Sequence, residues 1–108
     1  MKSTLLVGAL FLGTVLHASA ADVPALWAQH CASCHGKDGK GETKAGRKAG
    51  VKDQTDAKYQ SSLTDDKMFT SINEGLKVDG KEKMKPFAGK LKDEEIKQLI
   101  GHVRSFKK

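Results

Sequence analysis

The chain has 108 residues, a formal net charge of +6, and 30% charged residues against 38% hydrophobic ones. That length accommodates one domain and excludes a large multi-domain enzyme. Beyond the N-terminal segment, no stretch is apolar enough to span a membrane.

The first elements in chain order are those of a secretory signal. Lys2 supplies the positive start, Leu5 to Leu16 is an apolar run, and Ala18-Ser19-Ala20 offers small residues to a signal peptidase. Residues 1–20 are predicted to be a cleaved signal peptide, leaving 21–108 as one domain delivered to the periplasm, without a transmembrane segment. In that mature chain, Leu, Ile, Val and Phe together make up 15 of 88 residues. So low a share usually accompanies disorder, and small domains bury little surface in any case. Yet the helical patterns are sharp. Something apolar that is not protein is expected to complete the core.

A first helix is predicted from Asp22, with Asp as its cap and Pro24 in its first turn. Leu26, Trp27, His30, Cys31 and Cys34 fall on one face of it. The chain's two cysteines both lie in Cys31-Ala32-Ser33-Cys34-His35. C-x-x-C followed directly by His is the attachment pattern for c-type haem. Positions i and i+3 share a helix face, so both thiols reach the vinyl groups along one porphyrin edge. His35, one residue on, can turn its imidazole toward the iron. A thioredoxin-like pair would need a βαβ pattern, which is missing. A zinc site would need further Cys or His at finger-like spacing. A plain disulfide across two residues is strained.

Gly36 to Lys52 is expected to be a loop, because Gly36, Gly39, Gly41, Gly46 and Gly50 disfavour regular helix. Gly41 to Lys48 lacks the Gly-Lys-Ser/Thr ending and the preceding strand of a phosphate loop, which argues against nucleotide binding. A short helix is expected near Ala57–Ser62 and a firmer one from about Asp65 to Glu74, started by Asp65 and Asp66 and stopped by Gly75. A loop from Leu76 to Lys90 carries Met84, and Phe87 packs at its base or against the haem. The last helix keeps Ile96, Leu99, Ile100, Val103 and Phe106 at i, i+3, i+4, i+7 spacing. Gly101 inside it costs roughly 1 kcal/mol, and a close approach by the first helix is the expected return. No strand pattern or internal repeat is found. The predicted class is all-α, three to five helices wrapped around one covalently attached haem.

The attachment motif, the Met84-Lys85-Pro86-Phe87 stretch and the closing helix ending Val103-Arg104-Ser105-Phe106 together give a resemblance to class I c-type cytochromes, the small soluble bacterial kind with one haem c. It covers essentially the whole mature chain. The cofactor-binding residues are then Cys31 and Cys34, through thioethers, with His35 and Met84 as axial ligands of the iron. Met84 lies outside any helical pattern, just before the stiffening Pro86. Met68 lies in the pattern Leu63, Met68, Phe69, Ile72, where a methionine is core filler. His30 is expected beside the haem edge. His102 is expected to be a packed histidine, at a position where the resemblance implies a tyrosine against the first helix, near Trp27. The resemblance also implies a carbonyl that accepts from the ligating histidine, often that of a proline after the motif. No proline lies between Pro24 and Pro86, so the segment Thr43 to Val51 is expected to supply it.

A His/Met pair implies electron transfer rather than catalysis. The chain is therefore expected to be a soluble one-electron carrier, not an enzyme, shuttling electrons between redox partner proteins. The competing reading is a small haem enzyme or gas sensor, which would need an open sixth position. Lys37, Lys40, Lys44, Arg47, Lys48 and Lys52 follow the motif, and Lys77, Lys81, Lys83, Lys85, Lys90 and Lys92 surround Met84. Such a basic ring suits partners with acidic docking surfaces. Nucleic acid is excluded as a partner because no aromatic-basic interleaving is present. A monomer is expected.

Overall fold

The computed structural model describes Gly8 and residues 22–108. The predicted signal peptide lies outside the described residues. Asp22 caps the first helix, α1 (Val23–His30), by accepting from the Ala25 amide, with Pro24 in the opening turn. The chain then breaks at Cys31 and resumes as the one-turn helix α2 (Ala32–His35). The remaining helices are α3 (Lys44–Ala49), α4 (Ala57–Ser61), α5 (Asp65–Glu74) and α6 (Asp93–Ser105). Between α5 and α6 two short strands pair antiparallel, β1 (Leu76–Val78) and β2 (Lys81–Met84).

The molecule is thus mostly helical, with two departures from the expected all-α arrangement of three to five helices. The first is the hairpin, where a loop was expected. Its turn is Asp79-Gly80, with φ of 52° and 76°. Two successive positive φ values are those of a type I′ turn, whose twist matches that of paired strands. The second is α3, which forms inside the glycine-rich segment. The Thr43 hydroxyl caps it by accepting from the Gly46 amide, and Gly50 ends it in the left-handed region. Most of the glycines that argued against helix lie outside it. With α1 and α2 counted apart, the described residues hold six helical segments.

The core lies along α6. Ile96, Leu99, Ile100 and Val103 are buried at the predicted spacing, and Trp27, Cys31, Met68, Phe87 and Leu91 join them. Helix α6 packs against both α1 and α5. Gly101 takes no part in this. A Cβ there would meet nothing within 4 Å, so the expected close approach of α1 is not at Gly101. The two helices meet instead through aromatic rings. Trp27 lies 5.1 Å from Phe106 and 5.4 Å from His102, centroid to centroid. At the other side of α6, Arg104 donates to the carbonyls of Gln60 and Leu63 and pairs with Asp65 at 2.9 Å. That one side chain ties α4 and the start of α5 to the last helix.

Candidate haem site

Cys31 sits at the break between α1 and α2, buried, and Cys34 and His35 lie on α2. The one-turn helix is held from three directions. The His35 amide donates to the Cys31 carbonyl, and the His35 carbonyl accepts from the Gly41 amide at 2.8 Å. The Thr43 hydroxyl donates to the Cys34 carbonyl at 2.9 Å. Helix α3 comes in so closely that a Cβ at Gly46 would overlap that same carbonyl. From α1, the Trp27 indole N–H donates to the Gly36 carbonyl at 2.9 Å, and the Trp27 ring lies 5.7 Å from the His35 ring.

These residues open onto a cavity of about 640 Å³, within the range of roughly 300–1,000 Å³ usual for cofactor clefts. One wall carries Cys31, Cys34 and His35 with Trp27 and His30. The hairpin contributes Leu76, Val78 and Met84, and Phe87 follows it in the lining. Met68 and Ile72 of α5, Leu63, and Leu99 and Val103 of α6 complete the apolar lining. The lining is mainly apolar. All four of the sequence-predicted site residues therefore meet on one cavity. Met68 is buried core that also lines the cavity, and His30, half-buried, lines it edge-on to Phe87. His102 faces Trp27 and Phe106 and not the cavity.

Burial draws the His35 imidazole below its ordinary pKa, which favours the neutral ring. Burial, and then the nearby Cys34 thiol, push the Cys31 thiol up to about 11. One expectation is corrected here. The buried Nδ1 of His35 has no hydrogen-bond partner, and no carbonyl from Thr43–Val51 reaches it. The segment's carbonyls are engaged within it: that of Thr43 accepts the Arg47 amide, that of Gly46 the Val51 amide and that of Arg47 the Gly50 amide. A neutral imidazole, two thiols and a thioether around an apolar cavity fit a covalently held porphyrin and its iron.

Sequence reasoning missed Val51, Leu76 and Val78 as cavity residues. Leu76 and Val78 are 43% and 49% exposed, and both line the cavity mouth. A signal for them existed in the sequence. Asp79-Gly80 is a hairpin dipeptide, and Leu76 and Val78 sit at strand alternation before it.

A family model described as "Cytochrome C oxidase, cbb3-type, subunit III" matches residues 18–103. The chain is similar to the solved structure of the KustC0563 c-type cytochrome, with 41% identity and a TM-score of 0.73, over 81% of this chain and 99% of that one. It is also similar to a tyrosine-to-phenylalanine mutant of Kustc0563, with 41% identity and a TM-score of 0.70, over 80% and 99% of the two chains. No curated protein matches. The chain belongs to this family and is a small class I c-type cytochrome. Membership implies covalently bound haem c and supports an electron-carrier role. Among the described residues, no helix is long and apolar enough to cross a membrane.

Proposed function

We propose that the protein is a soluble, periplasmic one-electron carrier holding a single haem c, with residues 1–20 as its cleaved signal and 21–108 as its working domain. The observation that carries this reading is the meeting of Cys31, Cys34, His35 and Met84 on one apolar cavity. When bound, the haem supplies a one-electron couple between Fe(III) and Fe(II). The chain's part is to hold and shelter it. Each cysteine S–H adds across one vinyl group, so nothing is lost and two thioether bonds fix the orientation. His35, kept neutral by burial, would hold the iron from the attachment side of the chain. With Nδ1 buried, Nε2 is the nitrogen left for the metal. Met84, which also lines the cavity, would supply the second side-chain ligand to the iron.

With both axial positions filled by side chains, no residue is asked to act as a general acid or base. The protein is therefore read as a carrier and not an enzyme. Lys52, Lys83 and Lys85 stand at the cavity rim with Glu82 as the one carboxylate among the lining residues. A positive mouth of this kind favours redox partners with acidic docking surfaces.

The test is optical. The oxidised holoprotein is expected to show the weak long-wavelength absorption of an Fe–S(Met) bond. Met84→Ala should abolish it while the haem stays covalently attached. Retention of the band in that variant would remove Met84 from the site.

A further inference from the structure

Helix α5 ends at Glu74, and the chain turns through Gly75 (φ +76°) into β1. That turn brings the glycine directly onto the far end of the hairpin. A Cβ on Gly75 would lie 2.6 Å from the Met84 carbonyl oxygen, 2.8 Å from the Pro86 nitrogen and 3.1 Å from the Lys85 carbonyl carbon. All three are backbone atoms. No flexible side chain can swing aside to make room, so a side chain at this position has to move the Met84–Pro86 backbone itself.

The same backbone is tied to the helix end on both sides of the contact. Leu76 pairs with Met84 across the hairpin. Beyond Pro86, the Phe87 amide donates to the Ile72 carbonyl at 3.0 Å, and the Ala88 amide donates to the Asn73 carbonyl at 2.9 Å. The last carbonyls of α5, which have no partner within the helix, are thus met by the segment that follows Met84. That segment seats against the helix end only because the intervening residue carries no side chain.

We propose that Gly75 is the positioning residue for Met84: the space left by its missing side chain sets the distance between the α5 terminus and the Met84 backbone, and so the reach of the thioether into the cavity. The inference rests on the reading of Met84 as the sixth ligand. A neutral thioether is a weak donor, and its bond is sensitive to small displacements of the strand that carries it. In chemical terms, Gly75 sets the balance between a Met84-bound and a Met84-released state. An external ligand competes with Met84 only in the released state, so its apparent affinity tracks that population.

The experiment compares wild-type, Gly75→Ala, Gly80→Ala and Met84→Ala holoproteins. Gly80 has the same φ of +76°, on the same hairpin, but a Cβ there would meet nothing within 4 Å. It therefore places a side chain at the same positive φ without the contact. Gly75→Ala is expected to weaken the Fe–S(Met) band, lower the reduction potential and raise the affinity of the ferric protein for imidazole about tenfold or more. Gly80→Ala should leave all three at wild-type values. A Gly75→Ala protein with wild-type band and imidazole affinity overturns the proposal. So does an equal shift in both alanine variants, which would assign the effect to strain. Should Gly75→Ala yield no holoprotein, wild type supplies the readout. Saturating imidazole should speed hydrogen exchange at the Phe87 and Ala88 amides if the seat holds Met84, and unchanged exchange overturns the proposal. A wild-type protein that lacks the band, or matches Met84→Ala, instead sinks the ligand assignment itself.

Discussion

Asp53 is exposed, yet its carboxylate accepts both the Thr55 hydroxyl at 2.6 Å and the Thr55 amide at 2.8 Å. Those two bonds, the hydroxyl first, hold its pKa below the ordinary carboxylate range, with smaller help from Lys40 and Lys108. A carboxylate depressed in the folded state stabilises fully above its unfolded pKa and stops doing so as pH falls through the folded value. Thr55→Val is therefore expected to bring the Asp53 titration up toward its ordinary position, followed by carbon-detected NMR. The stability excess of wild type over the variant should be greatest near neutral pH and shrink on acidification. Equal pH slopes in denaturant unfolding would refute this. At this scale, legibility in the sequence divides by range. Cys31, Cys34 and His35 were readable because their chemistry depends on spacing along a few residues. Gln60 was not. It sits in the polar run Ala57–Ser61, yet it is 1% exposed and donates to the carbonyls of Gln54 and Val103. Nothing local marks a glutamine that satisfies a helix 43 residues away.

Among the elements, α1 and α6 were legible because their caps and apolar spacing are written in adjacent residues. The Trp27 side chain is what joins them, touching His102 and Phe106 on α6 and bonding to the end of α2 through Gly36. Trp27→Ala is expected to cost the holoprotein about 3–5 kcal/mol, the usual range for emptying a buried aromatic position, measured from the shift in denaturant midpoint. Trp27→Phe should recover most of it, because the ring contacts return and only the indole hydrogen bond is lost. A cost below about 1 kcal/mol for the alanine variant would show that the helices are joined elsewhere. Helix α3 was missed because glycine content was weighed without position. Gly46 is there to let α3 approach the Cys34 carbonyl, and that approach is a tertiary event. The hairpin was missed for a different reason. Asp79-Gly80 is a local turn signal, but the strands around it are only three and four residues long and rich in exposed lysine, so their alternation is weak.

The whole molecule carries +6, and among the described residues Arg104–Asp65 is the one ion pair within 4 Å. Its lysines are thus left to act at long range. Lys83 and Lys85 are at the cavity rim. Reversing both (Lys83→Glu with Lys85→Glu) is expected to slow bimolecular reduction by an acidic redox partner about tenfold at low salt. The salt dependence seen for wild type should flatten in the same variant. Reduction by a small neutral reductant should not change, and a loss there would mean that the haem environment had been disturbed. The sequence by itself determined the attachment motif, the closing helix, the basic balance and the shortage of core residues. Each of these is a property of composition or of neighbours within a turn or two. Only the tertiary structure decided that Met84 stands at the end of a strand, that Leu76 and Val78 wall the cavity, and that His35 Nδ1 is left without an acceptor. Those outcomes depend on which backbones can approach one another across tens of residues, and steric contact of that kind leaves no local periodicity to read.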